Sequence, residues 1–157
     1  MIRPEISDLG AYSLKQYAHR IKLNQNENPF ELPGAVKAEI LERLAQAAWS
    51  RYPSFVPAAQ IARVADFGGW KPEGTLLGNG SNDVLQLLFM SVLERGKTCV
   101  ISQPTFTLYK ILARGLGASV EEVPMTRDLT FDVERIIAAA NARAADMVVL
   151  CSPTNPT

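Results

Sequence analysis

Between residues 75 and 151, short apolar runs alternate with segments whose apolar residues recur at helical spacing. The runs predict strands over residues 75–77, 98–102, 118–123 and 147–151. The segments between them predict helices over residues 82–93, 105–114 and 133–144. Because strands that alternate with helices are joined by crossover connections, this order predicts an α/β fold with a mainly parallel sheet and flanking helices.

The residues before this region have a different pattern. Residues 1–27 show no convincing amphipathic period and predict an irregular arm. Helices are predicted over residues 33–49 and 57–67, and Val36, Ile40 and Leu44 form an apolar stripe on the first of them. The chain is therefore predicted to comprise an arm at 1–27, a helical segment at 28–70 and part of a sheet domain at 71–157.

The composition excludes several classes of protein. The 157 residues are 47% hydrophobic and 20% charged, as is typical of a globular domain. Lys plus Arg and Asp plus Glu are both 16, so the zero net charge gives no electrostatic basis for binding nucleic acid or an anionic membrane. No apolar run reaches the about 18 residues of a membrane span. Two cysteines in apolar runs and a single histidine favour a reduced, cytoplasmic protein without a metal site.

A first candidate binding feature lies where LLGNGSND leads into a predicted helix. Gly78 and Gly80 permit a tight corner, and the free N–H groups of the first helical turn, with the Ser81 hydroxyl, form an anion site. Asp83 occupies the position of the third glycine of a dinucleotide fingerprint, and no Walker lysine follows. A phosphate site is therefore predicted rather than a nucleotide site. A simpler interpretation is a glycine corner before a capped helix.

Two further corners follow predicted strands. In ISQPTFTLYK, Pro104 ends the strand and Phe106 comes at the mouth of the next helix, where its ring can stack on a flat ligand. In CSPTNPT, Pro153 and Pro156 end the strand and flank the segment that holds Asn155. Taken alone, Phe106 is interpreted as an aromatic residue of the core, and the segment CSPTNPT is interpreted as a turn.

Together, the three corners predict a site for one kind of ligand. In open α/β sheets, ligands bind at the edge where the carboxyl ends of the strands meet. A phosphate site, a stacking ring and a fixed amide at that edge describe a site for a flat, phosphorylated aromatic cofactor.

Five motifs occur here in the order found in the pyridoxal-phosphate aminotransferases of fold type I. They are KLNQNENPF, RYPS, LLGNGSNDVLQLLF, QPTFTLY and CSPTNPT. The sequence resembles that family from Tyr12 to Thr157, and LNQNENP resembles its histidinol-phosphate aminotransferases in particular. The resemblance implies pyridoxal 5'-phosphate as cofactor, a homodimer, and amino transfer between histidinol phosphate and 2-oxoglutarate in histidine biosynthesis. It also implies that residues 28–70 contribute to a small domain and linker and that residues 71–157 are an incomplete cofactor-binding large domain.

The resemblance implies roles for residues at the three corners. Ser81 and Asn82, beside Gly80, would bind the cofactor phosphate, chiefly through backbone N–H groups. Phe106 would stack on the pyridine ring. Asn155 would donate a hydrogen bond to the phenolic oxygen of the cofactor and lie near the substrate. Asn82 stands where Asp is commoner in the family, and this replacement keeps the backbone N–H donor. Phe106 stands where Tyr is commoner, and this replacement keeps the stacking ring.

Three residues outside the sheet domain are also implied to contribute. Tyr52 would reach the cofactor phosphate of the neighbouring subunit. Tyr12 would lie over the imidazole end of the substrate, and Asn26 would lie near the substrate.

In the family, the lysine that forms the imine with the cofactor lies downstream of the asparagine motif. No lysine of this sequence lies in that context, so we interpret the chain as the front portion of a transaminase that is inactive by itself. Threonine-phosphate decarboxylase and aromatic aminotransferase remain alternatives with the same fold. A non-catalytic truncated product is the alternative from another class.

Overall fold

The computed structural model describes residues 2–9, 18 and 20–157. The described residues fall into two compact units. One comprises residues 2–9 and 76–157, and the other comprises residues 18 and 20–75. The predicted boundaries after residues 27 and 70 stay a prediction.

A three-stranded parallel sheet forms the centre of the first unit. Its strands are β1 (Thr98–Gln103), β2 (Ser119–Pro124) and β3 (Met147–Val149), in the order β2-β1-β3. Cys99 of β1 is paired with Val120 of β2 and Met147 of β3. Helix α4 (Ser81–Val92) precedes β1, α5 (Leu108–Gly115) connects β1 to β2, and α6 (Val133–Arg143) connects β2 to β3. The predicted α/β architecture with a parallel sheet is confirmed.

The helices cover both faces of β1. Cys99 and Ile101 belong to one buried cluster with Phe89 of α4 and Tyr109 of α5. Val100 points to the other face, where it belongs to a second cluster. That cluster also contains Val123 of β2 and Ile136 of α6. Burial on both faces explains why the β1 sequence is continuously apolar rather than alternating.

One predicted strand is absent, which corrects the assignment of residues 75–77. This segment follows a 3₁₀ turn, Pro72–Gly74, and is not in a strand. The Thr75 hydroxyl donates to the Lys71 carbonyl at 3.1 Å, and the Thr75 N–H donates to the Pro72 carbonyl at 3.1 Å. Because the turn uses these donors locally, Thr75 has none left for a β-ladder.

The second unit contains α2 (Gly34–Ala45) and α3 (Ala58–Phe67). Helix α2 ends four residues earlier than predicted, and the Trp49 indole N–H donates to the Leu44 carbonyl at 2.7 Å. This bond satisfies one of the carbonyls that the end of a helix leaves free. The predicted apolar stripe of Val36, Ile40 and Leu44 is exposed.

The first described residues differ from the predicted irregular arm. They form a short helix, α1 (Pro4–Ser7), in the same unit as the sheet. The Arg3 guanidinium donates to the Gly115 carbonyl at 2.9 Å, and Glu5 forms an ion pair with Arg95. No helix in the described part of the chain is long and apolar enough to cross a membrane.

We predict that Cys99 resists alkylation in the folded chain. Its side chain is 0% exposed, and burial raises the pKa of the thiol from 9.0 to about 11. Because the thiolate is the reactive form, a maleimide should modify the partly exposed Cys151 and spare Cys99 until urea unfolds the chain. Mass spectrometry of the labelled peptides measures both rates.

The pH dependence of this labelling has a definite sign. A thiol pKa that folding raises contributes stability that is fully present below pH 9 and is lost as the pH rises through about 11. Raising the pH from 8 to 10 should therefore increase the thiolate fraction of Cys99 about 10-fold in urea and about 100-fold in the folded chain, while the folded chain is labelled more slowly at both pH values. Equal rates for Cys99 and Cys151 in the folded chain would contradict the buried position of β1.

The outer edge of β3 should cause the chain to self-associate. Among the described residues β3 pairs only with β1, and its Val148 is 43% exposed, so an unpaired edge carries an apolar side chain. We predict that Val148→Lys lowers the associated fraction measured by light scattering. Val133→Lys, which places the same charge on the exposed start of α6, is the matched control and should leave association unchanged. If the two variants had the same associated fraction, the association would not depend on the edge of β3.

Candidate functional site

The first corner presents backbone N–H groups at the start of α4. Gly80 is the residue before the helix and has φ +88° and ψ 168°, a conformation essentially restricted to glycine. No side chain caps this helix start. The first-turn N–H groups of Ser81, Asn82 and Asp83 are therefore free of a capping partner, which suits them to an anion.

Asp83 has a structural role that sequence reasoning missed. Its carboxylate Oδ2 accepts the N–H of Asn79 at 3.0 Å, which ties the loop back onto the first turn. The signal was present in the sequence, since an acidic residue at the third helical position commonly reaches back to a preceding N–H. Gly78 lies against the same group: a Cβ there would lie 2.9 Å from Asp83 Oδ2 and 2.9 Å from Val84 Cγ2. The two glycines are thus needed for different reasons, backbone conformation at Gly80 and space at Gly78.

The second corner follows β1. The Gln103 side chain accepts the N–H of Thr105 at 3.2 Å, which closes the turn around Pro104. Phe106 comes next and is partly buried. Its ring meets Tyr109 edge-to-face, with centroids 5.7 Å apart and an interplanar angle of 87°.

The third corner follows β3 and holds Asn155. The Thr154 hydroxyl donates to the Thr157 carbonyl at 2.5 Å and accepts from the Thr157 hydroxyl at 2.6 Å. Earlier in the loop, the Cys151 thiol donates to the Pro153 carbonyl at 3.4 Å. These local bonds close the loop on both sides of Asn155, which is partly buried.

The strand order brings the second and third corners to the same edge. The connection that leaves β1 runs through α5 to β2, whereas β3 lies on the other side of β1 and is reached through α6. Ligands bind in the crevice that such a reversal opens at the carboxyl ends of parallel strands. Phe106 follows β1 and Asn155 follows β3, so both lie in loops at the carboxyl edge of the sheet.

The first corner lies toward the same edge. Helix α4 ends at Val92, and residues 93–97 join it to the start of β1, so α4 runs antiparallel to β1. Leu85 and Phe89 pack the helix against the cluster that contains Cys99 and Ile101. The first turn of α4 therefore points toward the carboxyl edge of the sheet.

The remaining predicted residues are not brought to this edge by the described contacts. Tyr52 lies in the other unit with its side chain 91% exposed. Asn26 is also in that unit, exposed, with φ +52°. Tyr12 lies outside the described residues. Their roles stay predictions.

Two lysines of the sheet unit are already paired with acidic side chains. Lys97 lies at the amino edge of β1, where it pairs with Asp146 at 2.9 Å, and this hydrogen-bonded pairing raises the pKa of Lys97 and lowers that of Asp146. Lys110 pairs with Glu122 at 2.5 Å. The start of α4 carries a partial positive charge, which attracts an anion. In the described part of the chain, no group of His, Cys, Asp and Glu side chains could hold a metal ion.

Comparison with known proteins shows one family. Residues 18–157 match the family model for aminotransferase class I and II. The whole chain is 45% identical to histidinol-phosphate aminotransferase of Prosthecochloris aestuarii and 44% identical to that of Chlorobaculum tepidum. It covers 44% and 45% of those two proteins, so it spans less than half the length of these curated relatives.

A solved structure agrees with this fold. Histidinol-phosphate aminotransferase of Sinorhizobium meliloti, in complex with pyridoxal 5'-phosphate, superposes with a TM-score of 0.79 and 23% identity. The superposition covers 99% of this chain and 43% of that protein. The three-stranded sheet and its helices match a portion of the fold type I enzymes.

We predict that Gly80→Ala loosens the first turn of α4. A side chain in the backbone conformation of Gly80 costs about 1–3 kcal/mol, so amide hydrogen exchange in a peptide covering α4 should become about 5- to 100-fold faster. Gly34→Ala is the matched control, because both sites have open space around an added Cβ but Gly34 does not have a positive φ. Exchange in α2 should not become faster in that variant. Unchanged exchange in α4 of Gly80→Ala would show that the corner lacks this conformation.

Proposed function

We propose that this chain, which belongs to the class I and II aminotransferase family, forms part of an enzyme that transfers an amino group between histidinol phosphate and 2-oxoglutarate. The observation that carries the proposal is the convergence of three corners at one sheet edge in a chain of this family. The cofactor proposed for the reaction is pyridoxal 5'-phosphate, which when bound supplies an electron sink for the carbon that bears the amino group.

The start of α4 is proposed to hold the cofactor phosphate. Uncapped N–H groups of Ser81, Asn82 and Asp83 support this role, as does the Ser81 hydroxyl. The conformation of Gly80 fits a backbone that approaches an anion closely, and Gly78 leaves room for the Asp83 side chain beneath it. The Asp83 carboxylate is occupied by the Asn79 N–H, which reduces its repulsion of a phosphate.

The crevice between β1 and β3 is proposed to hold the ring. Phe106 offers a ring for stacking, and its edge contact with Tyr109 limits its rotation. The Asn155 amide would donate a hydrogen bond to the phenolic oxygen of the cofactor. Preorganised donors of this kind stabilise developing charge without reorganising during the reaction.

Three further residues are proposed to contribute to the complete site. Tyr52 would contact the cofactor phosphate of the neighbouring subunit in a homodimer, and its high exposure leaves it available for this. Tyr12 and Asn26 would lie at the substrate. Histidinol phosphate is the proposed substrate because the relatives with 45% and 44% identity bear its name.

The test uses the protein encoded by the complete reading frame, purified with pyridoxal 5'-phosphate. We predict glutamate release from 2-oxoglutarate with histidinol phosphate, and no comparable turnover of threonine phosphate or aromatic amino acids. Asn155→Ala should lower kcat/KM by about 10- to 100-fold, because a hydrogen bond to a charged group is worth about 1.5–3 kcal/mol. The control is Asn141→Ala, an exposed amide on α6, which should keep full activity.

The second arm of the test uses the 157-residue chain alone, which should not transfer amino groups. Lys97 is paired with Asp146 at the amino edge, and Lys110 is paired with Glu122, so neither offers a free amine at the crevice. Borohydride reduction with pyridoxal 5'-phosphate, followed by mass spectrometry, should show no single preferred lysine. Decarboxylation of threonine phosphate by the complete protein, or full activity of Asn155→Ala, would contradict the proposal.

A further inference from the structure

Tyr109 lies in a buried cluster against which residues from all three corners pack. It is the second residue of α5 and is buried, with 9% of its surface exposed. Its ring stacks on Phe89 of α4, with centroids 6.2 Å apart and planes 9° from parallel. The same ring receives Phe106 edge-to-face at 5.7 Å. One side chain thus joins the helix of the first corner to the ring of the second corner.

Cys151 links the third corner to Tyr109. Cys151, the second residue after β3, packs against the cluster that contains Tyr109. Burial, and then the neighbouring Cys151 thiol, raise the pKa of Tyr109 to about 12, so the phenol keeps its proton at neutral pH. Cys151 in turn donates to the Pro153 carbonyl, inside the loop that carries Asn155.

Core packing alone does not explain a hydroxyl at this position. A phenylalanine would make the same stacked and edge contacts with Phe89 and Phe106. A buried tyrosine hydroxyl usually has a polar partner, and the Cys151 thiol, which packs against the same cluster, is available for this role. The ring and the hydroxyl therefore have separable tasks: the ring orients Phe106, and the hydroxyl acts on the loop.

We propose that Tyr109 is a positioning residue that holds the Phe106 ring and the loop of Asn155 in a fixed relation at the crevice between β1 and β3. The inference rests on the proposed function, because it assigns Tyr109 to the orientation of the two groups that would contact the cofactor ring. Tyr109 itself acts through Phe106 and Cys151 and makes no contact with the ligand in this account.

The experiment follows alkylation of Cys151 in the 157-residue chain carrying Cys99→Ala, in which Cys151 is the only thiol. Tyr109→Phe should raise the alkylation rate by about two- to tenfold, the change expected if the hydroxyl and the Cys151 thiol contribute a hydrogen bond of ordinary strength to holding the loop. Phe131→Leu, a truncation beside the cluster on the opposite face of the sheet, is the control and should leave the rate unchanged. An unchanged rate in Tyr109→Phe would overturn the hydroxyl's role.

A second readout adds pyridoxamine 5'-phosphate, which cannot form an imine with lysine, and measures its Kd from the protection of Cys151. Tyr109→Leu and Phe106→Leu should each weaken binding by about two- to tenfold, and the double variant should be no weaker than either. Tyr109→Phe retains the ring and should restore most of the affinity lost in Tyr109→Leu. Additive losses in the double variant would overturn the role of the ring.

The two readouts separate this inference from the proposed function. If the chain fails to bind pyridoxamine 5'-phosphate while Tyr109→Phe still accelerates alkylation, the proposed cofactor site fails and the action of the hydroxyl on the loop stands. If the ligand binds and protects Cys151 but Tyr109→Phe and Tyr109→Leu change neither rate nor Kd, the cofactor site stands and the positioning role is wrong.

Discussion

The structure of the sheet unit depends on the burial of β1 on both faces and along both edges. β2 and β3 pair with its two sides, and helices from both faces cover its side chains. Cys99, Val100 and Ile101 are all 0% exposed. Complete burial of an apolar strand is favourable at about 25 cal/mol per Å² of apolar surface, and it requires that every backbone donor be paired. The parallel neighbours meet that requirement, and they also fix which loops share an edge.

The candidate site follows from this arrangement. Because β1 and β3 are parallel neighbours, the loops that follow them emerge at the same edge, and the loops of Phe106 and Asn155 share that edge although they are far apart in the sequence. Local bonds then fix each loop, through Gln103 at one corner and Thr154 at the other. The site is therefore held by local turns on a rigid support, as is common for binding loops.

The features that the sequence predicted are those set by local pattern. The apolar run of β1, the glycine corner at Gly80 and the proline-bounded loop of Asn155 all depend on near neighbours, and the resemblance that these motifs carry is confirmed by the family match. The prediction of a strand over residues 75–77 was wrong because the hydroxyl and the N–H of Thr75 donate hydrogen bonds within the preceding turn. The contact between Tyr109 and Phe106, and the nearness of Cys151, were missed because they depend on how α5 packs against β1 and on pairing with β3.

The central claim is that the start of α4, Phe106 and Asn155 form one site for a phosphorylated ring. A crystal structure of the chain with pyridoxamine 5'-phosphate tests it most directly. The account predicts the phosphate against the N–H groups of Ser81 to Asp83, the ring against Phe106, and the ring oxygen within hydrogen-bonding distance of the Asn155 amide. Ligand bound away from these groups, or the start of α4 and Asn155 found at opposite edges of the sheet, would contradict it.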